Sequence, residues 1–255
     1  NYGPSEATGG GRTVAEWDPE LEELHLRETL AERMGGQEKV ARQHDRGKLD
    51  IRQRLDLLLD DDSFHEVGKI AGTASYDDDG KLVDLRASNF VFGRGLVDGC
   101  PVVVAGDDFT VRGGAADASI VTKQIAAEHM AFELRLPIIR LIDGTGGGGS
   151  VKTLDTKAQS SDSVATGSMG RGARTYVPAN PAWEHVVANL ATVPTVALCL
   201  GPVAGLGAAR AVSSHFSVMV RGLSQLFVAG PPVVNALGAE EVDKESLGGS
   251  GIHTR

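Results

Sequence analysis

Pro137-Ile138-Ile139-Arg140-Leu141-Ile142-Asp143 runs directly into Gly144-Thr145-Gly146-Gly147-Gly148-Gly149-Ser150. A short apolar run placed after a helical segment predicts a buried, parallel strand. From Gly146 to Gly149 the chain has no Cβ, so its backbone can take positive φ and bring N–H groups within hydrogen-bond reach of a ligand. The pattern recurs downstream. Val193-Pro194-Thr195-Val196-Ala197-Leu198-Cys199-Leu200 is again apolar and opens into Gly201-Pro202-Val203-Ala204-Gly205-Leu206-Gly207-Ala208-Ala209, whose small residues suit a tight turn into a closely packed helix. Two such turns can aim backbone donors at one shared point.

Working back from the first strand, Ala118, Val121, Ile125, Phe132 and Leu136 share one face of a helix that delivers the chain to it. Before that helix, Leu96 to Val104 places Asp98-Gly99 between apolar runs, the strongest short signal for a hairpin. Asp50 caps a helix with Ile51, Leu55, Leu58 and Leu59 on one stripe, and Asp45 to Lys48 is a polar turn. Glu20 to Met34 reads as a mostly exposed helix ending at Gly35-Gly36. Between the two glycine turns, Ser160 to Thr175 reads as a flap, and Pro181 to Leu190 as a short helix with proline at its start. After Leu96 the order is strand, helix, strand, loop, helix, strand, helix. That alternation predicts a layered α/β domain.

The bulk properties agree with such a domain. The chain has 255 residues, of which 41% are apolar, enough for one large core plus an appendage. A net charge of −9 argues against a general binder of nucleic acid or anionic membranes, but leaves room for a local basic pocket. Cys100 and Cys199 both sit in apolar runs, which reads as two reduced thiols in a cytoplasmic protein without a cysteine metal site. No stretch is long and apolar enough for a membrane helix, and the start shows no signal-peptide pattern.

Asp45-Arg46-Gly47-Lys48-Leu49, Leu57-Leu58-Leu59-Asp60, Phe64, Gly106 to Gly114, Asp143 with its glycines, Gly201-Pro202-Val203-Ala204-Gly205, Phe227 to Pro232 and Leu247-Gly248-Gly249 occur in this order. In this the chain resembles the carboxyltransferase (β) subunits of biotin-dependent acyl-CoA carboxylases, over roughly Arg42 to Arg255 and over their N-terminal half only. The resemblance implies a crotonase-like spiral of ββα units spanning 42–255, preceded by a helical appendage at 1–41, with the second crotonase-like domain absent. It also implies transfer of a carboxylate from carboxybiotin, carried on a partner carrier protein, to the α-carbon of an acyl-CoA. The enolate and the biotin ureido oxygen both need preorganised donors, each typically supplying about 2.7–4 kcal/mol in oxyanion holes.

By the same resemblance the first donors are Gly146 and Gly147, the second Gly205 and Leu206, and CoA contacts fall at Arg112, Gly113, Gly114 and Lys123. Taken by themselves, Arg112 and Lys123 read as solvated surface charges ahead of phosphate contacts. Asp143 anchors the loop or simply caps the turn, and Cys199 is a core thiol. His129, His185, His215 and His253 read as surface or core residues. No metal is implied. The partners are an acyl-CoA, a biotin carboxylase and biotin carrier subunit, and further copies of the chain, in a dimer-based assembly up to a hexamer. The location is cytoplasm, or the mitochondrial matrix in a eukaryote. In this family acyl-CoA lies on one protomer and biotin on the C-terminal domain of another, so residues 1–255 alone should bind CoA without turning it over.

The chain departs from the family at both turns. The usual Asp-Ser-Gly-Gly-Ala is here Asp143-Gly144-Thr145-Gly146-Gly147-Gly148, and Ala-Gly-Gly-Ala is Ala204-Gly205-Leu206-Gly207. Leu206 donates its N–H as well as glycine does provided its φ is negative. Ala229-Gly230-Pro231-Pro232 is nearer the 3-methylcrotonyl-CoA and geranyl-CoA type than the propionyl-CoA and acetyl-CoA type, while Asp107 to Val111 fits both. A catalytically silent subunit and another crotonase-fold CoA enzyme are the alternatives. A Rossmann site is disfavoured because no Gly-x-Gly-x-x-Gly opens a helix directly after the first strand with an acidic residue on the next strand. Val103, Ile139, Leu141, Val196 and Leu198 are expected in the core, with Gly146 and Gly205 close together.

Overall fold

The computed structural model describes residues 17–114, 121–144, 183–236, 238 and 241–254. Helices α1 (Asp18–Glu32), α2 (Gln37–His44) and α3 (Ile51–Leu58) come first. Asp50 accepts from the Gln53 N–H at 3.0 Å while the Gln53 side chain accepts from the Asp50 N–H at 3.2 Å, a reciprocal cap that starts α3 where the sequence predicts it. Helix α1 is mostly exposed, as expected, and is tied down near its end. Its Leu30 and Ala31 pack against Leu82 and Leu85 of the separate hairpin formed by β2 (Gly72–Tyr76) and β3 (Leu82–Ala87).

The main sheet is built from β1 (His65–Glu66), β4 (Phe90–Val97), β5 (Cys100–Asp107), β6 (Ile138–Gly144), β7 (Thr195–Ala204) and β8 (Phe216–Met219), in that spatial order. The short β9 (Gln225–Phe227) pairs with the second half of β7. Strands β4 and β5 are antiparallel across the predicted Asp98-Gly99 turn, where both residues take positive φ, 49° and 75°, matching the twist of the hairpin. From β5 onward every pairing among the described residues of this sheet is parallel. The crossovers include α4 (Val121–Leu134), α5 (Glu184–Asn189) and α6 (Leu206–Val212), and the chain closes with α7 (Pro231–Ala236), α8 (Lys244–Gly248) and α9 (Ser250–His253).

Two faces of β6 lead to two cores. Leu141 packs with Ile51, Leu55 and Leu59 from the α3 side. Ile142 packs with Ala197, Val203, Ala208 and Ala211 on the α6 side. Val103 and Leu141 are buried as expected, whereas Ile139, Val196 and Leu198 are half-buried. All three of these carry the alternate face of a strand, and Ile139 and Leu198 border the α3 core rather than fill it.

Helix α4 turns a different face inward from the one its apolar pattern suggests. Ala127, Glu128 and Ala131 are buried, Ile125 and Phe132 are half-buried, and Ala118 lies outside the described residues. The alanines let the helix sit close over Phe90, Phe92 and Val103, whose bulk comes from the sheet. Glu128 goes inward because Arg140 of β6 meets it in a fork, at 2.7 Å from Nε and 2.8 Å from Nη2. The remaining Arg140 nitrogen donates to the Ser213 carbonyl and Ser214 hydroxyl, and Asn189 of α5 donates to Glu128 at 3.0 Å. Arg140→Leu would strand the Glu128 charge, and urea unfolding should show a loss of about 3–5 kcal/mol; a loss below about 1 kcal/mol would mean that water reaches Glu128.

Candidate active site

The carboxyl ends of parallel strands are where open α/β sheets place ligands. Here β5 ends at Asp107, β6 at Asp143-Gly144 and β7 beyond Gly201. Asp143 is completely buried, and its carboxylate is held by Lys48 Nζ at 2.6 Å and Arg54 Nη2 at 2.7 Å. Its N–H donates to Asp107 at 3.2 Å, and Asp107 is gripped by Arg210 of α6 at 3.1 Å. Arg54 also donates to the Leu200 carbonyl at 3.2 Å. Burial pushes the Asp107 carboxyl upward against the opposing pull of Arg210, and burial pulls the Lys48 ammonium downward against Asp143.

Backbone contacts complete the arrangement. Gly113 and Gly114, with φ near 64° and 67°, press against Asp143 and Gly144, and a side-chain carbon on Gly114 would lie 2.6 Å from the Asp143 carbonyl. Gly201 of β7 faces the salt bridge so closely that a methyl there would overlap Asp143 Oδ1 and Lys48 Nζ. At Gly144 the pairing of β6 with β7 shifts register, so the strand end is bent away from the regular ladder.

A cavity of about 440 Å³ opens beside this knot. Lys39, Arg42, Arg46, Lys48, Arg112 and Lys244 line it, and no carboxylate does among the described residues. Phe109 forms part of the wall, with Lys48 Nζ 4.0 Å from its ring centre. Despite the acidic chain, this is a concentration of cations whose chemistry suits an anion.

On the far side of the β7 turn lies an open apolar groove of about 1080 Å³, bordered by Gly205, Leu206, Ala209, Val212, Phe227 and Val228. Gly205 takes φ 60° and ψ −125°, which admits glycine alone, and its N–H is taken by the Phe227 and Val228 carbonyls at 3.2 and 3.1 Å. Leu206 is the first residue of α6 and its φ is not positive. Among the described residues no acceptor meets the N–H groups of Leu206 and Gly207. The free donors of this turn are therefore one residue further on than the Gly205–Leu206 pair suggests.

Gly146 and Gly147 lie outside the described residues, as does the 160–175 stretch. Of the CoA-contact candidates, Arg112 and Gly113 line the basic cavity, and Gly114 supports it from behind. Lys123 is in neither of the places expected for it. It is buried on α4, 6.0 Å from the Phe92 ring centre and close to the Arg52–Glu66 pair, away from the cavity lining. Cys199 is a core thiol whose pKa burial pushes up to about 11. His215 bonds the Thr195 and Leu190 backbone, and His253 the Leu226 carbonyl, so both hold structure.

Residues 42–255 match the family model described as the carboxyl transferase domain. The chain belongs to that family. It is 32% identical over 250 residues to a probable biotin-dependent acyl-coenzyme A carboxylase beta2 subunit of Mycobacterium tuberculosis, covering 98% of this chain and 42% of that one. It is 33% identical to a probable mitochondrial methylcrotonoyl-CoA carboxylase beta chain of Drosophila melanogaster, covering 87% and 35%. Among solved structures, transcarboxylase 12S with methylmalonyl-coenzyme A bound superposes with a TM-score of 0.71 at 27% identity, covering 94% of this chain and 43% of that one. This carboxyl transferase domain thus spans less than half the length of those relatives, and its crotonase-type fold is the one that the family resemblance implies.

The buried Lys123 has a measurable signature. Desolvation, partly countered by Glu66, lowers its pKa from 10.5 to about 8. Below pH 8 folding buries a charge, and between pH 8 and 10.5 the folded state releases a proton that the unfolded state keeps, so this group adds stability as pH rises. Lys123→Met should therefore stabilise the domain at pH 7 by up to about 3 kcal/mol, with the gain shrinking towards pH 10.5 in denaturant titrations. A pH-independent difference would show that Lys123 is not desolvated.

Proposed function

We propose that the chain supplies the acyl-CoA side of a biotin-dependent acyl-CoA carboxylase carboxyltransferase. The observation that carries this reading is the cationic cavity set against the strand ends from which the donor turns leave. CoA presents a diphosphate and a phosphate monoester, and the monoester alone carries about −1.5 to −2 charge at pH 7. Arg42, Arg46, Arg112 and Lys244 suit that charge, and Phe109 offers the cavity an aromatic wall.

The thioester then runs along the β6 and β7 ends towards α6. The N–H groups of Leu206 and Gly207, with those of the Gly146-Gly147 loop, hold the thioester oxygen as its α-carbon loses a proton. Donors held by a preorganised backbone act without reorganisation during the reaction. Biotin, arriving on a carrier partner, supplies the activated carboxylate and takes up the α-proton when bound. The apolar walls of the groove beside Leu206, with Val228 and Phe227 among them, fit its fused rings or the acyl group. The partners are further copies of the chain and a biotin carrier subunit. No described helix is long and apolar enough to cross a membrane, which agrees with a reaction among dissolved partners.

Calorimetric titration with CoA tests the first step. Binding should weaken about tenfold or more in the Arg42→Glu/Arg46→Glu variant and fall with added salt, as screened phosphate contacts do. No binding by the unaltered chain overturns the reading. For the second step, the full-length subunit assembled with its biotinylated partner should carboxylate acetyl-, propionyl- or 3-methylcrotonyl-CoA, compared by kcat/KM. CoA binding without carboxylation of any of them would point to the silent-subunit alternative.

A further inference from the structure

The Lys48 ammonium has two surroundings at once. One side lines the basic cavity, and the other is locked 2.6 Å from a carboxylate that is wholly buried. A lysine serving only to attract phosphate would be expected to stand in solvent beside Lys39 and Arg46, free to move. Lys48 is instead 93% buried by its 7% exposure, stacked on Phe109 and pinned beneath Gly201, where not even a methyl group fits.

The bond does not stop at Asp143. The N–H of Asp143 is donated to Asp107, and Asp107 is held by Arg210, which sits in the same seven-residue helix as Leu206. A continuous path of polar contacts therefore links the cavity wall to the end of β6 at Asp143, to the end of β5 at Asp107 and to the last turn of α6 at Arg210. We infer that Lys48 is a positioning residue: through Asp143 it couples filling of the basic cavity to the placement of the β6 end at Asp143-Gly144 and of α6. This rests on the acyl-CoA reading of the cavity and adds to it a group that acts on the reacting end from the phosphate end.

Physically, an anion entering the cavity draws on the same ammonium that balances Asp143. The carboxylate keeps Arg54, so the pair can tighten or slacken without either charge being left alone. Because donor placement within about 1 Å governs rate by up to about 10²-fold, a small shift at Asp143 is enough to matter.

The test uses the full-length subunit with its biotinylated partner, unaltered and as Lys48→Met, Asp143→Asn and the double variant. If Lys48 positions, Lys48→Met and Asp143→Asn each lower kcat by about tenfold to 10²-fold, with KM for acyl-CoA changed less than about threefold. The double variant should then be no slower than the worse single, because both changes break one device. Hydrogen exchange gives a readout separate from turnover. CoA should slow exchange of peptides covering Leu141–Gly144 and Leu206–Ala209 in the unaltered protein, and not in Lys48→Met, although calorimetry shows CoA still bound. A raised KM with unchanged kcat, multiplied effects in the double variant, or equal protection in Lys48→Met would overturn the inference and leave the acyl-CoA reading standing. Absence of CoA binding to the unaltered protein removes both. Where Asp143→Asn or the double variant fails to fold, Lys48→Met decides, since Asp143 then keeps Arg54 as its counter-ion; a kcat within about threefold of the unaltered enzyme would overturn the inference.

Discussion

The structure depends on a buried carboxylate that cannot be left alone. Asp143 is fully enclosed, and an isolated charge in such a place costs several kcal/mol even after relaxation. Lys48 and Arg54 are therefore required by Asp143, and they bring with them the α2–α3 turn and α3 itself. The N-terminal helices are fastened to the end of the central strand by charge as well as by the Ile51, Leu55 and Leu59 stripe. The apolar stripe supplies binding free energy in proportion to buried area, while the charges settle which strand end the helix meets.

A second buried pair sits on the other face of the same strand. Arg140 points towards α4 and the α6–β8 turn, and Asp143, three residues on, points towards α3, as the alternation of a strand demands. Strand β6 thus carries opposite charges to opposite sides, each met by a helix. Sliding β6 by one residue would put Arg140 against the α3 core and Asp143 into the α6 core, so the register is fixed electrostatically as well as by packing. A fixed register matters because the loop after Gly144 inherits its starting point from it.

Much of this scaffold was legible in the sequence, because the signals are local. The Asp50 cap, the Asp98-Gly99 hairpin and the two apolar runs each depend on neighbours within a few residues. Helix α2 was missed because Gln37 to His44 has Val40 as its one large apolar residue, leaving no stripe to read. The partners of Asp143 and Asp107 were missed for a different reason: Lys48, Arg54 and Arg210 lie 89 to 103 positions away, and no periodicity connects them. A signal did exist. Arg54 falls on the Ile51–Leu55–Leu58 stripe and Arg140 inside an apolar run, and a charge written into a buried pattern requires a partner somewhere. The alanine face of α4 was misread because large residues were weighted over small ones, where close approach to the sheet favours alanine.

The two sides of the β7 turn differ in how far this chain completes them. The basic cavity is built from its own helices, strand ends and closing segment, with its cations supported from behind by Asp143. The apolar groove is not closed in the same way. Val228 is 87% exposed, Val212 69% and Phe216 64%, and Phe216 lies on β8 at the edge of the sheet. Scattered apolar side chains on a surface are ordinary, but several around one groove beside unpaired N–H groups are a surface whose desolvation remains to be gained from another molecule. Donors become strong only when water is excluded. On the acyl-CoA reading, a site with one finished wall and one open apolar wall would reach its full electrostatic strength when a second body covers it, which would couple reaction to docking.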